Sequence, residues 1–243
     1  MNQQHYDYEI NEQGEASGRS LPGMAAAERA AFLSKTYLHL LAAILGFVAI
    51  EVALFQSGAA EKIATTLLAG GQTGWLLVLG GFMLVGFLAN RFALGAESLG
   101  AQYFGLGIYV VAQAIIFVPL LFVANTYAPG VIENSAIITL VGFTALSMIV
   151  FITRADFSWM RSILMWAGFA ALGFIVVGAF MGWSGGSLFP ALMIAFAGAY
   201  ILYDTSNVLH HYPENRYVGA ALALFSSVAL MFWYVISFFL SRE

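Results

Sequence analysis

Residues 191–209 read ALMIAFAGAYILYDTSNVL. The run is long and apolar enough for a membrane-spanning helix, which needs about 20 mostly apolar residues. It holds one acid, Asp204, where a charge at the bilayer centre costs about 2.5–3.5 kcal/mol on insertion scales. An acid kept in such a place is a candidate functional residue by default.

Six other runs have the same character, at 36–55, 74–92, 99–124, 132–152, 163–183 and 217–240, with the quoted stretch forming the sixth span at 188–209. The expected fold is therefore an all-α polytopic membrane protein with seven transmembrane helices. Composition agrees: 61% of the 243 residues are hydrophobic and only 9% charged, against about 25% charged in soluble domains. Gly70, Gly71 and Gly74, then Pro129 with Gly130, Gly182 to Gly186, and Pro213 punctuate the breaks. Residues 1–30 read as a flexible polar tail, with an Ala-rich piece at 24–33 expected to form a surface helix leading into the membrane domain 31–243. No secretory signal pattern opens the chain.

Cations set the expected orientation. Arg19, Arg29, Lys35, Arg91, Arg154, Arg161 and Arg216 fall on one side of a seven-span topology, and Lys62 and Arg242 on the other. The positive-inside rule then puts the N-terminus in the cytoplasm and the C-terminus outside. Six spans with a re-entrant segment would return the C-terminus to the inside. Small residues in AGFAALGFIVVGAF and AFAGA allow close helix packing.

The net charge of -4, with no basic stripe, excludes the electrostatic footprint of nucleic-acid binding. With no Cys, disulfides, thiolate metal sites and cysteine catalysis are excluded. No HExxH and no Walker loop occurs, and no spacing of Ser, His and Asp singles out a triad. The chain is read as a non-enzyme with no catalytic residues, no metal site and no cofactor, a calcium ion excepted.

The candidate ion-binding or pH-sensing residues are Asp204, Asn207, Ser227 and Glu51. Asp204, Asn207 and His211 are three and four apart and share a helix face. Asp204 lies about 9 Å from the end of its span at 1.5 Å per residue, deep for so short a side chain. Thr205 and Ser206 have the alternative of bonding backbone carbonyls. Glu51 is close enough to the outer end of span one to reach water or headgroups. Gln113, Ser226 and Ser227 are of the types that join helices by hydrogen bonds. His210 and His211 are adjacent and would diverge, with no third ligand evident.

The segments GFTALSMIVFITRADFSWMR at 142–161, YDTSNVLHHY at 203–212, the aromatic last span and FLSKTYLHLLAAILGF at 32–47 resemble the Bax inhibitor-1 (transmembrane BAX inhibitor motif) family. The resemblance runs from about residue 32 to the end and is nearest to a bacterial branch that is degraded by, and modulates, a membrane-anchored AAA protease. It implies six helices packed around a central C-terminal helix, in the bacterial inner membrane, and in several members a proton-sensitive calcium leak worked by two carboxylates. Asp204 matches the first carboxylate; the second position is occupied by Ser227. Two acids sharing one site cannot both ionise freely, and the chain has one. A calcium site here would also have one hard anionic ligand fewer. The resemblance thus implies a regulator or interactor of the protease, with a calcium or cation leak gated by Asp204 as the alternative.

Overall fold

The structure, a computed structural model, describes residues 26–95, 98–182 and 185–242. Most of the polar tail 1–30 lies outside the described residues. Eight helices follow in order: α1 (Ala26–Gln56), α2 (Ala59–Ala69), α3 (Gly71–Gly95), α4 (Leu99–Tyr127), α5 (Val131–Thr153), α6 (Met160–Met181), α7 (Leu188–His210) and α8 (Tyr217–Leu240). A 3₁₀ turn at Glu214–Arg216 enters α8.

Among the described residues six of these helices, α1 and α4 to α8, are long and apolar enough to cross a membrane. The predicted second span coincides with α3, a helix of 25 residues. The surface helix expected at 24–33 is continuous with span one, because good helix formers run from Ala26 into the apolar segment with no Pro to break it. At 31 residues, α1 is about 46 Å long, so its first turns extend past a hydrocarbon core of about 30 Å. The short helix α2 was not anticipated; Gly58, at φ 73, makes the left-handed turn that lets it start.

Side chains sort by neighbour rather than by polarity. Leu38, Leu45, Phe87, Val141, Phe169 and Phe180 are between 58 and 77% exposed, an arrangement suited to lipid tails and not to water. Half of the best window of α8 and 56% of that of α4 are buried, against 11–33% for the other four spans, so these two helices are the most enclosed. α8 packs on α1, α3, α4, α5 and α7. Its Phe232 stacks on Phe117 at 5.7 Å between centroids, Trp233 meets the same ring edge-on at 5.0 Å, and Phe47 closes the cluster at 5.1 Å. Each such aromatic pair adds about 0.5–1.5 kcal/mol beyond the area it buries. Opposite them small residues admit the neighbour: a Cβ on Gly198 would sit 3.3 Å from Leu146 Cδ1.

Contacts also fix helix direction. His39 of α1, Tyr103 of α4 and Tyr217 of α8 meet at one end, while Phe47 meets Phe117 and Phe225 farther along, so α1, α4 and α8 run in parallel. α3 runs against α4, with Phe92 on Phe104 at 5.7 Å and Gly86 beside Tyr109. The Asp156–His211 contact closes the bundle at the end where α5 and α7 finish.

Candidate functional site

Successive residues of an α-helix turn by about 100°, so three adjacent polar side chains on α7 point to three different neighbours. Asp204 faces α8, where Ser227 Oγ donates to its Oδ2. Thr205 faces α5, with its Oγ1 3.3 Å from Ser147 Oγ. Ser206 faces the α5–α6 connection: its Oγ accepts from the Phe157 N–H at 2.8 Å and donates to the Ala155 carbonyl at 3.3 Å. The segment YDTS is thus a three-way joint.

Thr205, Ser206 and Ser227 are buried and Asp204 is partly buried. Polar groups placed so deep must find partners, and interhelical bonds of this kind contribute about 0.6 kcal/mol on average and up to about 1.7. Ser227 Oγ also lies 3.3 Å from the carbonyl of Ala223, one turn back on α8. Tyr109 approaches from α4, with its hydroxyl in reach of Ser226. Tyr109, Tyr200 and Tyr212 lie in electrostatic range of Asp204.

The other predicted residues lie apart from this joint. Asn207 is one turn on, and its backbone carbonyl accepts from the N–H groups of His211 and Tyr212. Glu51 is 6% exposed, and both its carboxyl oxygens are without a hydrogen-bond partner among the described residues. It sits on the α1 face that carries Phe47, one turn away, rather than at Asp204. Gln113 is buried with its side-chain oxygen in the same condition. Among the described residues no group of three or more His, Asp and Glu could hold a metal ion.

His211 leaves the face it was expected to share with Asp204. It follows the last residue of α7, at φ -123, and its Nε2 is 3.1 Å from Asp156 Oδ2. Asp156 belongs to the loop that Ser206 holds. The Ser158 N–H donates to Asp156 Oδ1 at 2.8 Å, and this bond, with help from His211, holds the Asp156 carboxyl at about 2, below its ordinary value. Sequence reasoning quoted Asp156 without assigning it a role; a pair 55 positions apart leaves no local signal. The expectation that no GxSxG occurs is also corrected: Gly182-Trp-Ser-Gly-Gly186 has that spacing. That motif needs a strand before it, and this copy follows α6, with Ser184 outside the described residues.

The family described as "Inhibitor of apoptosis-promoting Bax1" (Bax1-I) matches residues 29–243. The chain belongs to this family. The match covers every helix from near the start of α1, including the joint at Asp204 and Ser227. An uncharacterised protein of Pseudomonas aeruginosa is 33% identical over 104 residues, 42% of this chain and 46% of that protein. The matched part thus spans less than half of that relative. As a Bax1-I member, the chain is a multi-pass helical membrane protein in which the joint at 203–206 ties α5, α7 and α8 together.

Proposed function

We propose that this Bax1-I protein is a regulatory and interaction partner of a membrane-anchored AAA protease, working in membrane-protein quality control. The observation that carries the reading is the hydroxyl of Ser227 on Asp204. A serine at the position of a second carboxylate replaces a pair of competing charges by one acid with a fixed donor, which suits a structural joint better than a two-carboxylate switch. In this reading the protein is not an enzyme and carries no cofactor. The span count is seven, with α3 as the second span, and α8 is the central helix. In this reading the N-terminus lies in the cytoplasm of a bacterial inner membrane, supported by Arg91, Arg154, Arg161 and Arg216 falling on connections on the same side as the start of α1 in a seven-span topology. The polar tail at 1–20 is then on the side where a processive protease would engage it.

The half-life of the full chain in cells with and without the AAA protease tests the proposal. We expect a longer half-life without the protease, a similar lengthening when residues 1–20 are deleted, and co-purification of the two proteins. Equal half-lives in both strains with no co-purification would overturn it.

A second reading, a calcium or cation leak gated by Asp204, is favoured by the partly buried acid. Ion flux from liposomes with wild type and Asp204→Asn decides between the two.

A further inference from the structure

Two grooves run along α4 on either side of one exposed glycine. The first, of ≈ 360 Å³, lies between α1 and α4 and runs from His39 and Tyr103 to Ile50 and Val111. The second, of ≈ 440 Å³, lies between α3 and α4 and runs from Phe104 to Ile115. Gly107 and Val111 line both. A Cβ placed on Gly107 would meet nothing within 4 Å, so at this residue the grooves are separated by bare backbone, with the Val111 side chain between them one turn on. The first extends from residue 39 to 50 on α1 and the second from 104 to 115 on α4, each eleven helical steps or about 16 Å. That is half of a hydrocarbon core of about 30 Å, the depth of one leaflet. Both volumes fall within the usual range of ligand pockets, about 300–1,000 Å³.

The ends of the grooves differ. Away from their mouths the walls are apolar: Ala43, Leu106 and Val110 in one, Val85 and Ile108 in the other. The mouth of the first carries polar groups: His39 Nε2 is 2.8 Å from the Tyr103 hydroxyl. Because His39 Nδ1 lies 2.7 Å from the Lys35 carbonyl, which only accepts, Nδ1 carries the proton and the Tyr103 hydroxyl donates to Nε2. Lys35 is exposed one turn earlier, its Nζ 5.4 Å from the centre of the Tyr217 ring. At the mouth of the second groove, Arg91 is exposed next to Phe92, whose ring packs on Phe104. Neither cation pairs with a carboxylate among the described residues. Two apolar slots, each one leaflet deep, thus open at a level flanked by two exposed cations, Lys35 and Arg91.

We infer that this face of α4 binds one anionic diacyl phospholipid. Its two acyl chains straddle Gly107, one in each groove, and its phosphate lies between Lys35 and Arg91. A lipid with one chain fills one groove. A zwitterionic headgroup brings its own cation to the site and loses the charge complementarity. Each Lys or Arg close to anionic lipid changes binding by about fivefold.

Native mass spectrometry of the full chain in detergent, titrated with phosphatidylglycerol, phosphatidylcholine and single-chain lysophosphatidylglycerol, tests the site. We expect phosphatidylglycerol to be retained most strongly. Its retention should fall about fivefold in Lys35→Gln and again in Arg91→Gln, and stay unchanged in Lys35→Arg. Gly107→Leu has open space for its Cβ at an exposed position and removes a helix-weakening glycine, so it folds; it should reduce phosphatidylglycerol to the level of the single-chain lipid. Equal retention of the two diacyl lipids by wild type would overturn the inference as annular lipid only. Full retention in Gly107→Leu would overturn the two-groove seat, and a preference untouched by both Gln variants would overturn the headgroup contact.

Discussion

Replacing Ser227 by Ala removes the donor that α8 presents to the partly buried Asp204. The expected loss is about 1 kcal/mol, in line with interhelical bonds in other membrane bundles, and Ser227→Thr should retain most of it; thermal unfolding in detergent gives both values. A sequence reader sees Asp204 at once, because a lone acid in an apolar run stands out. Ser227 is legible only through the resemblance that pairs the two positions. Tyr109 and Tyr212 could not be picked out among eleven tyrosines, since nothing local distinguishes a buried ring from one that faces lipid. Glu51 was expected to reach an interface; its two buried oxygens make it an interior residue instead, which its distance along the helix alone could not reveal.

Helices α5, α7 and α8 are held together by the joint and by close approach at small residues. Gly198 faces Leu146 and Met231. Enlarging it to Leu overfills that contact and should cost about 1–3 kcal/mol, whereas Ala needs only a slight shift of the Leu146 terminus; equilibrium unfolding distinguishes them. The α5–α6 loop makes a prediction in pH. Asp156 is held at about 2, below its unfolded value near 3.9, so its contribution is complete above pH 4 and is lost as pH falls through 2. The melting temperatures of wild type and Asp156→Asn should therefore differ at pH 6 and converge as the pH approaches 2; a constant gap would show that the carboxylate charge is not what holds the loop. At this scale the long apolar runs made the spans legible. The helix α2 was not, because at 11 residues it is far shorter than the run of about 20 that marks a span.

For the whole molecule, the absence of Cys makes single-cysteine labelling a clean test of topology. Cysteines at Lys35 and Arg154 should label from one side of sealed vesicles, and those at Lys62 and Arg242 from the other. Labelling of Arg242 from the Lys35 side would reduce the span count to six. The class of the protein was legible from composition, while the relative directions of α1, α3, α4 and α8 emerged from ring and hydrogen-bond contacts between distant residues. The functional account depends on how Asp204 is used. Calcium flux from liposomes at pH 6 to 8, measured for wild type, Asp204→Asn and Ser227→Asp, tests it most directly. A regulatory protein with Asp204 fixed by Ser227 predicts background flux from wild type and Asp204→Asn at every pH; flux above background from wild type that Asp204→Asn abolishes would contradict it.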